Sequence, residues 1–178
     1  QAAVYRIRIY VHTTRGETTQ AVENALECLR LFGIDMSPHP GPGRVREEFE
    51  TVWKNLGDRP IESLIDLPLM ADADMRAAMD ILATMYGPSF YSDSDLFCLH
   101  LCRMVNLSIR HGNTAASTYA YGCFGLILGE FHRYQEGYRF AKVAYDLMNR
   151  QGFLAYRAQA NFSLEMVSFW THPLDVVV

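Results

Sequence analysis

The side chains that could carry out chemistry in this sequence include two pairs of carboxylates. Glu47 with Glu48, and Asp72 with Asp74, could each supply a general acid and a general base. Adjacent helical positions point in different directions, which keeps Glu47 and Glu48 apart. Asp72 and Asp74 lie where the N-cap of a helix is expected, and a carboxylate is common at that position. We therefore predict no catalytic residue in this chain.

The four cysteines lie among apolar residues, at Cys28, Cys98, Cys102 and Cys123. Cys98 and Cys102 share a helix face because they are four residues apart, but His100 between them faces elsewhere. Two thiolates are too few ligands for a zinc site. We therefore expect no metal and no cofactor. Reduced, buried thiols of this kind are typical of a cytoplasmic protein, which is the location we expect.

Motifs that bind phosphate groups are also missing from the sequence. Segment 41–44 contains two glycines but lacks the preceding strand, the lysine and the hydroxyl side chain of a phosphate-binding loop. Neither the His-Arg-Asp nor the Asp-Phe-Gly motif of a protein kinase occurs, and none of the six histidines lies in a recognisable phosphoacceptor motif. We therefore predict that this chain is not an enzyme.

The strongest candidate for a binding surface is the polar cluster at residues 110–113, between two predicted helices. Arg110 and His111 would lie at a helix C-terminus, where positive charge is favourable, and Asn113 could cap the next helix. The alternative is a recognition patch in which Arg110 and Asn113 contact a partner or a ligand. Tyr119 adds an aromatic side chain that suits either a core position or a peptide-binding groove. The candidate contacts are therefore Arg110, His111, Asn113 and Tyr119.

The composition restricts the classes of partner. Charged residues make up 20% of the 178 residues, the formal net charge is −4, and Arg and Lys are scattered, so we expect no nucleic-acid partner. No apolar run approaches the roughly 18 residues that span a bilayer, and no signal peptide is visible, so we expect no membrane span. A hydrophobic content of 49% is enough for a substantial core.

The elements that would position these residues are predicted to be helices, because apolar residues recur three and four positions apart along most of the chain. The predicted helices cover about 2–14, 18–32, 45–56, 61–65, 72–86, 94–111, 114–128, 133–151 and 154–171. Segment 37–44 contains three prolines and two glycines and is predicted to be a loop. Gly87 and Pro88 are expected to end a helix.

We expect a single helical-repeat domain over residues 1–178. Its predicted parts are a first helix pair (1–36), a Pro/Gly loop (37–44), middle helices (45–91) and a four-helix stacked array (92–174). The helical pattern starts at once after Gln1, and the sequence ends at Val178 without a polar tail. We therefore expect this domain to have been excised from a larger protein.

An internal repeat favours stacked helix pairs. Tyr5, Ile9 and Ala21 align without gaps with Tyr121, Gly125 and Gly137. The pattern of large apolar, small and turn positions is similar to a degenerate tetratricopeptide repeat, without that repeat's tryptophan-leucine-glycine opening and closing proline. We therefore predict an all-α fold of about eight to nine helices. Antiparallel pairs would stack as a tetratricopeptide-like solenoid, with a plain antiparallel bundle as the alternative.

The stretch from Met104 to Thr114 resembles the tetratricopeptide-like helical region of very large bacterial and fungal signalling kinases. The resemblance also includes Ser117, Tyr119, Ala120, Tyr121 and the segments 53–54, 137–140 and 170–174. Such proteins join a serine/threonine-kinase-like domain, an AAA-type ATPase domain, a helical region, a GAF sensor and a sensor histidine kinase. The resemblance implies an ATP-dependent protein kinase as the parent, whose catalytic parts lie outside this segment.

These observations lead to one leading hypothesis and two alternatives. We expect a non-catalytic protein-interaction and signal-relay module of a multi-domain signalling kinase in a two-component system. Its partners would be other domains of the parent protein or a partner protein. The alternatives are a small-molecule-sensing helical domain of the same kind of protein and a stand-alone peptide-binding adaptor. An apolar pocket would favour the sensor, and an exposed groove would favour the adaptor.

Overall fold

The computed structural model describes residues 2–172, and within this range the chain forms helices joined by turns, with no β-strand. The helices are α1 (Ala2–Thr14), α2 (Thr18–Leu31), α3 (Gly41–Leu56), a 3₁₀ helix (Ile61–Asp66), α4 (Ala73–Thr84), α5 (Tyr86–Ser92), α6 (Ser94–His111), α7 (Ala115–Glu130), α8 (Tyr134–Gln151) and α9 (Arg157–Thr171). The predicted all-α fold is confirmed. Gln1 and residues 173–178, on which part of the predicted domain falls, lie outside the described residues.

The loop in the Pro/Gly segment 37–44 is shorter than predicted. α3 begins at Gly41 rather than near residue 45, and Pro42 lies in its first turn. The first backbone N–H groups of a helix have no intrahelical acceptor, so a proline there removes no hydrogen bond. The sequence interpretation treated proline as a helix breaker, and at this position it was wrong.

Gly87 and Pro88 mark the beginning of a helix and not only the end of one. α4 ends at Thr84, and the short helix α5, which the sequence pattern did not predict, contains both residues in its first turn. Asp93 then caps α6, because its side chain accepts a hydrogen bond from the Leu96 N–H at 2.9 Å. Asp72 caps α4, as predicted, by accepting the backbone N–H groups of residues 74 and 75.

α7 is the central element of the described chain. Every residue from Ala116 to Gly129 except Leu126 is buried, and α7 contacts α4, α6, α8 and α9. A helix that is apolar on all sides needs packing partners on all sides. α7, α8 and α9 contact one another pairwise, as stacked helix pairs would, but α3 packs on α6 and α2 on α5, which are not chain neighbours. The solenoid arrangement therefore stays a prediction.

Side chains of α8 hold the 3₁₀ helix in place. Arg139 donates two hydrogen bonds to Glu62, at 2.6 and 2.7 Å, and Arg150 contacts Asp66 at 2.6 Å. The hydrogen bonds from Arg139 lower the pKa of Glu62 to about 2. Both pairs are about half-exposed, so they add little to stability, and their main effect is to fix the position of the 3₁₀ helix.

Two glycines let α7 and α8 approach closely. A Cβ atom added to Gly125 would lie 2.6 Å from the carbonyl oxygen of Gly137, and one added to Gly137 would lie 2.6 Å from the carbonyl oxygen of Gly125. Both positions belong to the repeat pattern, which requires small residues where helices cross. The backbones are therefore in direct contact at this crossing.

We predict that Gly125→Ala lowers the free energy of unfolding by about 1–3 kcal/mol, because the helices must separate to accept the methyl group. Gly43→Ala is a matched control. Gly43 is also helical, but no atom lies within 4 Å of its added Cβ, so the better helix propensity of alanine should raise stability by up to about 1 kcal/mol. Urea unfolding of the two variants measures both effects. A Gly125→Ala protein as stable as the wild type would contradict the close contact.

Candidate functional site

Asn113, a predicted contact residue, is 1% exposed and forms a buried junction between the middle segment and α7. Its backbone N–H donates to the Pro68 carbonyl at 2.8 Å, and its own carbonyl accepts the Met70 N–H at 2.9 Å. Its side-chain N–H donates to the Leu64 carbonyl at 2.8 Å, and its side-chain oxygen accepts the Tyr121 hydroxyl at 2.9 Å. All four polar groups of Asn113 are therefore satisfied inside the protein.

The expected role of Asn113 as a helix cap is wrong. Thr114 occupies the N-cap of α7, and its backbone N–H donates to Ser117 Oγ at 2.9 Å. Asn113 instead forms an isolated parallel β-bridge with Leu69, and its backbone N–H and carbonyl groups both bond to segment 68–70. A partner could not contact Asn113 unless segment 64–70 moved away.

Arg110 and His111, the next two predicted contacts, are exposed at the C-terminal end of α6. Arg110 Nε donates to Asn55 Oδ1 of α3 at 3.3 Å. Their position is that expected of cations near a helix C-terminus. Arg110 therefore belongs to a contact between α3 and α6.

That contact is a chain of polar side chains that the sequence interpretation missed. Asn106 is buried in α6, and its amide N–H donates to Glu48 Oε1 at 2.6 Å. The Asn106 oxygen accepts from Asn55 at 2.8 Å, and Arg103 contacts Glu48 at 2.8 Å. The sequence does contain a sign of this contact, because Asn106 interrupts the apolar run from Met104 to Leu107. A polar side chain on a buried helix face indicates a specific partner.

Tyr119, the fourth predicted contact, is a core residue and 3% exposed. Its ring contacts those of Tyr86 and Tyr156, with centroids 5.9 and 5.7 Å away. Burial raises the pKa of its hydroxyl well above the ordinary value, and this hydroxyl has no hydrogen-bond partner among the described residues. The four predicted contact residues thus lie in three separate environments and do not form one surface.

A groove between α3, α6 and α7 has a volume of about 450 Å³. Its walls are mainly apolar and include Val45, Phe49, Ile127 and Phe131. Cys98 and Cys102 form part of the floor, one helical turn apart on α6. Small-molecule sites typically have volumes of 300–1,000 Å³ and apolar walls, so this groove has the size of a ligand site.

The thiols in the chain are held in their protonated form. Burial is the main cause that raises the pKa of Cys98, and burial raises the pKa of Cys123 to about 12 and that of Cys102 further. A thiolate is the form that ligates metals and attacks electrophiles. No cluster of three or more metal-ligating side chains occurs within residues 2–172.

α1 has apolar side chains on two opposite faces. Tyr5 and Ile9 are buried against the core. The α1 outer face is formed by Val4, Ile7, Tyr10 and Val11, all of which are exposed. Positions 4, 7 and 11 are three and four residues apart, so they form one stripe. α9 likewise exposes Phe162, Phe169 and Trp170.

His100 is fully buried in α6, and its Nε2 has no hydrogen-bond partner among the described residues. Its Nδ1 lies 3.3 Å from the Leu96 carbonyl and 3.4 Å from Ser89 Oγ. Burial lowers its pKa from 6.5 to about 4, so His100 is neutral in the folded protein at neutral pH. An imidazolium here would have no counter-charge to compensate its desolvation.

We predict that the protein loses about 3 kcal/mol of stability as the pH falls from 6.5 towards 4, because the unfolded chain then binds a proton that the folded chain excludes. The contribution of neutral His100 to the free energy of unfolding is fully present above pH 6.5 and is lost progressively as the pH falls below it. Urea unfolding between about pH 7 and pH 5.5, where most carboxylates stay ionised, measures the onset of this slope. His100→Leu should remove most of the slope, and an unchanged slope would contradict the assignment.

Comparisons with known proteins give no relative: no family model matches the chain, and no curated protein or solved structure does so either. No helix between residues 2 and 172 is long and apolar enough to cross a membrane.

Proposed function

We propose that this chain is a non-catalytic protein-interaction and signal-relay module of a multi-domain signalling kinase. The observation that favours this function is the α1 outer face, where Val4, Ile7 and Val11 form an exposed apolar stripe on a helix whose opposite side is already buried. Helices of an array bury such stripes against a neighbouring helix. The resemblance to the helical region of signalling kinases points to the same function.

The charges beside the α1 outer face suggest the chemistry of its partner. Arg6 and Arg8 lie on α1, and the helix has no acidic residue. Arg6 contacts Asp80 of α4 at 3.3 Å, whereas Arg8 lies over the ring of Tyr5. We expect the partner to be an amphipathic helix with carboxylates beside its apolar stripe, from another domain or another protein. Four unpaired thiols suit a cytoplasmic location for both.

The relay would pass through α7, since α7 packs against α4, α6, α8 and α9. Coupling between distant sites requires an element with two discrete arrangements, and packed helices with backbone contact move as units. A displacement of α1 would reach α7 through α4, which contacts both.

The experiment is to place Ile7→Asp and Val11→Asp in the full-length protein. We expect association with the partner domain to weaken more than about tenfold, because two carboxylates would be buried in an apolar contact. Both side chains are exposed in this chain, so the melting temperature should stay near that of the wild type. Leu154→Asp, at another exposed apolar position, is the matched control. Unchanged association and unchanged kinase output would refute the proposal.

The α3–α6–α7 groove favours a second candidate function, the sensing of a small molecule. It has the volume and the apolar walls of a ligand site, and it lies beside the polar contact between α3 and α6. A ligand there would stabilise one position of α3 relative to α6 and would thereby change the array.

A further inference from the structure

The charges around the α3–α6–α7 groove are mostly negative. Among the lining residues, Asp95 and Glu50 are acidic and Arg46 is basic. Burial is the largest cause that raises the pKa of the Cys98 thiol in the groove. Asp95 and Glu130, the latter at the end of α7, are both close enough to raise it further. Within residues 2–172, the ion pair of Glu50 is a long contact of 3.9 Å with Lys54. The groove therefore presents an apolar interior with an acidic rim.

Two aromatic side chains, Phe49 and Phe131, line the groove, and Phe124 packs against the first of them. Phe49 is 5.2 Å from Phe131 and 5.6 Å from Phe124, measured between ring centroids, and Phe131 is exposed at the edge. The faces of such rings carry negative electrostatic potential. The same cluster already holds one cation, because the Arg133 guanidinium lies 3.9 Å above the ring of Trp53. Arg133 is itself paired with Glu136 at 2.7 Å, so its charge is compensated and does not exclude a second cation at the acidic rim.

We propose that the α3–α6–α7 groove binds an organic cation, a hydrophobic amine or quaternary ammonium whose apolar part fills the groove. The apolar part would lie between Val45, Phe49 and Ile127. The cationic group would lie at the rim, near Phe131, Asp95 and Glu130. This inference depends on the second candidate function and specifies the chemical class of its ligand. An anion of the same length would meet the same walls but would be repelled by the rim carboxylates.

The test compares three probes that share one apolar chain: octyltrimethylammonium, octanol and octyl sulfate. We expect the ammonium probe to bind with a Kd about tenfold lower than that of octyl sulfate, with octanol between them, because two partly screened carboxylates each contribute modestly. Titration calorimetry gives the Kd values. A second measurement locates the site, because Cys98 is partly exposed whereas the other three cysteines are buried. The bound ammonium probe should slow the reaction of Cys98 with a thiol reagent.

Two sets of variants make the test specific. Asp95→Asn with Glu130→Gln should abolish the preference for the cation and leave the affinity for octanol unchanged. Asp58→Asn with Glu165→Gln removes the same charge from exposed positions on other elements and should change nothing. Val45→Trp should fill the groove and weaken all three probes, and retained binding of the ammonium probe to this variant would overturn the proposal.

The outcomes also separate this inference from the function on which it depends. Tighter binding of octyl sulfate, or equal binding of all three probes, would overturn the cationic ligand but leave a small-molecule site. No binding of any probe in the low millimolar range would overturn both the ligand class and the sensing function. Either result leaves the proposed role of the α1 outer face unaffected.

Discussion

Gly112→Ala should destabilise the protein by about 3–4 kcal/mol. Two physical effects combine at this position. Gly112 has φ +102°, which side chains rarely adopt, and an added Cβ would overlap the carbonyl oxygen of Pro68. The Pro68 oxygen cannot retreat, because it accepts the Asn113 N–H. Urea unfolding at neutral pH measures the loss.

Gly152→Ala is the matched control for this prediction. Gly152 also has a positive φ, +67°, but no atom lies within 4 Å of its added Cβ. Its substitution should cost only about 1 kcal/mol, from the left-handed backbone alone. Similar losses for the two variants would show that the close contact with Pro68 contributes nothing.

Asn113→Ala should lower the free energy of unfolding by about 3 kcal/mol. The substitution removes two side-chain hydrogen bonds and leaves the Leu64 carbonyl and the Tyr121 hydroxyl buried without partners. Loss of one partner of a buried hydrogen bond costs more than the bond itself contributes, because the remaining group stays desolvated. Thermal and urea unfolding of the variant measure the loss.

Arg110→Ala supplies the comparison, since Arg110 is exposed and makes one long hydrogen bond to Asn55. Its loss should change stability by less than about 0.5 kcal/mol. The double variant Asn113→Ala with Tyr121→Phe tests the mechanism. Tyr121→Phe removes the hydroxyl that Asn113→Ala alone leaves without a partner. The double variant should therefore lose less than the sum of the single losses. An additive result would contradict the Tyr121–Asn113 hydrogen bond.

The sequence predicted local structure well where local interactions determine it. The bounds of α1 and α6 match the predicted segments, because helical spacing and a glycine just beyond the C-terminal end indicate both helices, and Asp93 also caps the start of α6. The Pro42 and Pro88 positions show the limit of that approach. A proline permits a helix in its first turn and breaks it elsewhere, so its effect depends on where the helix begins.

The candidate site could not be predicted in the same way. The burial of Asn113 results from segment 64–70, which is distant in sequence, and no local pattern at residues 110–113 indicates it. The α3–α6–α7 groove likewise combines Val45, Cys98 and Ile127 from three helices. α6 and α7 are consecutive, but α3 is distant from both in the sequence. Asn106 was the one local signal of a tertiary contact, because a polar residue on a buried face requires a partner.

The separation in sequence between α3 and α6 has a consequence for synthesis of the chain. Asn55 and Asn106 are 51 positions apart, and Leu64 and Asn113 are 49 apart. On the ribosome, α3 and the 3₁₀ helix must therefore wait roughly 3–10 s for their partners at about 5–20 residues per second. During that interval Phe49 and Trp53 have no aromatic neighbours from α7 or α8 to cover them. Nascent chains arrested before α6 emerges should accordingly be captured by chaperones that bind exposed aromatic segments, and chains arrested after α8 should not.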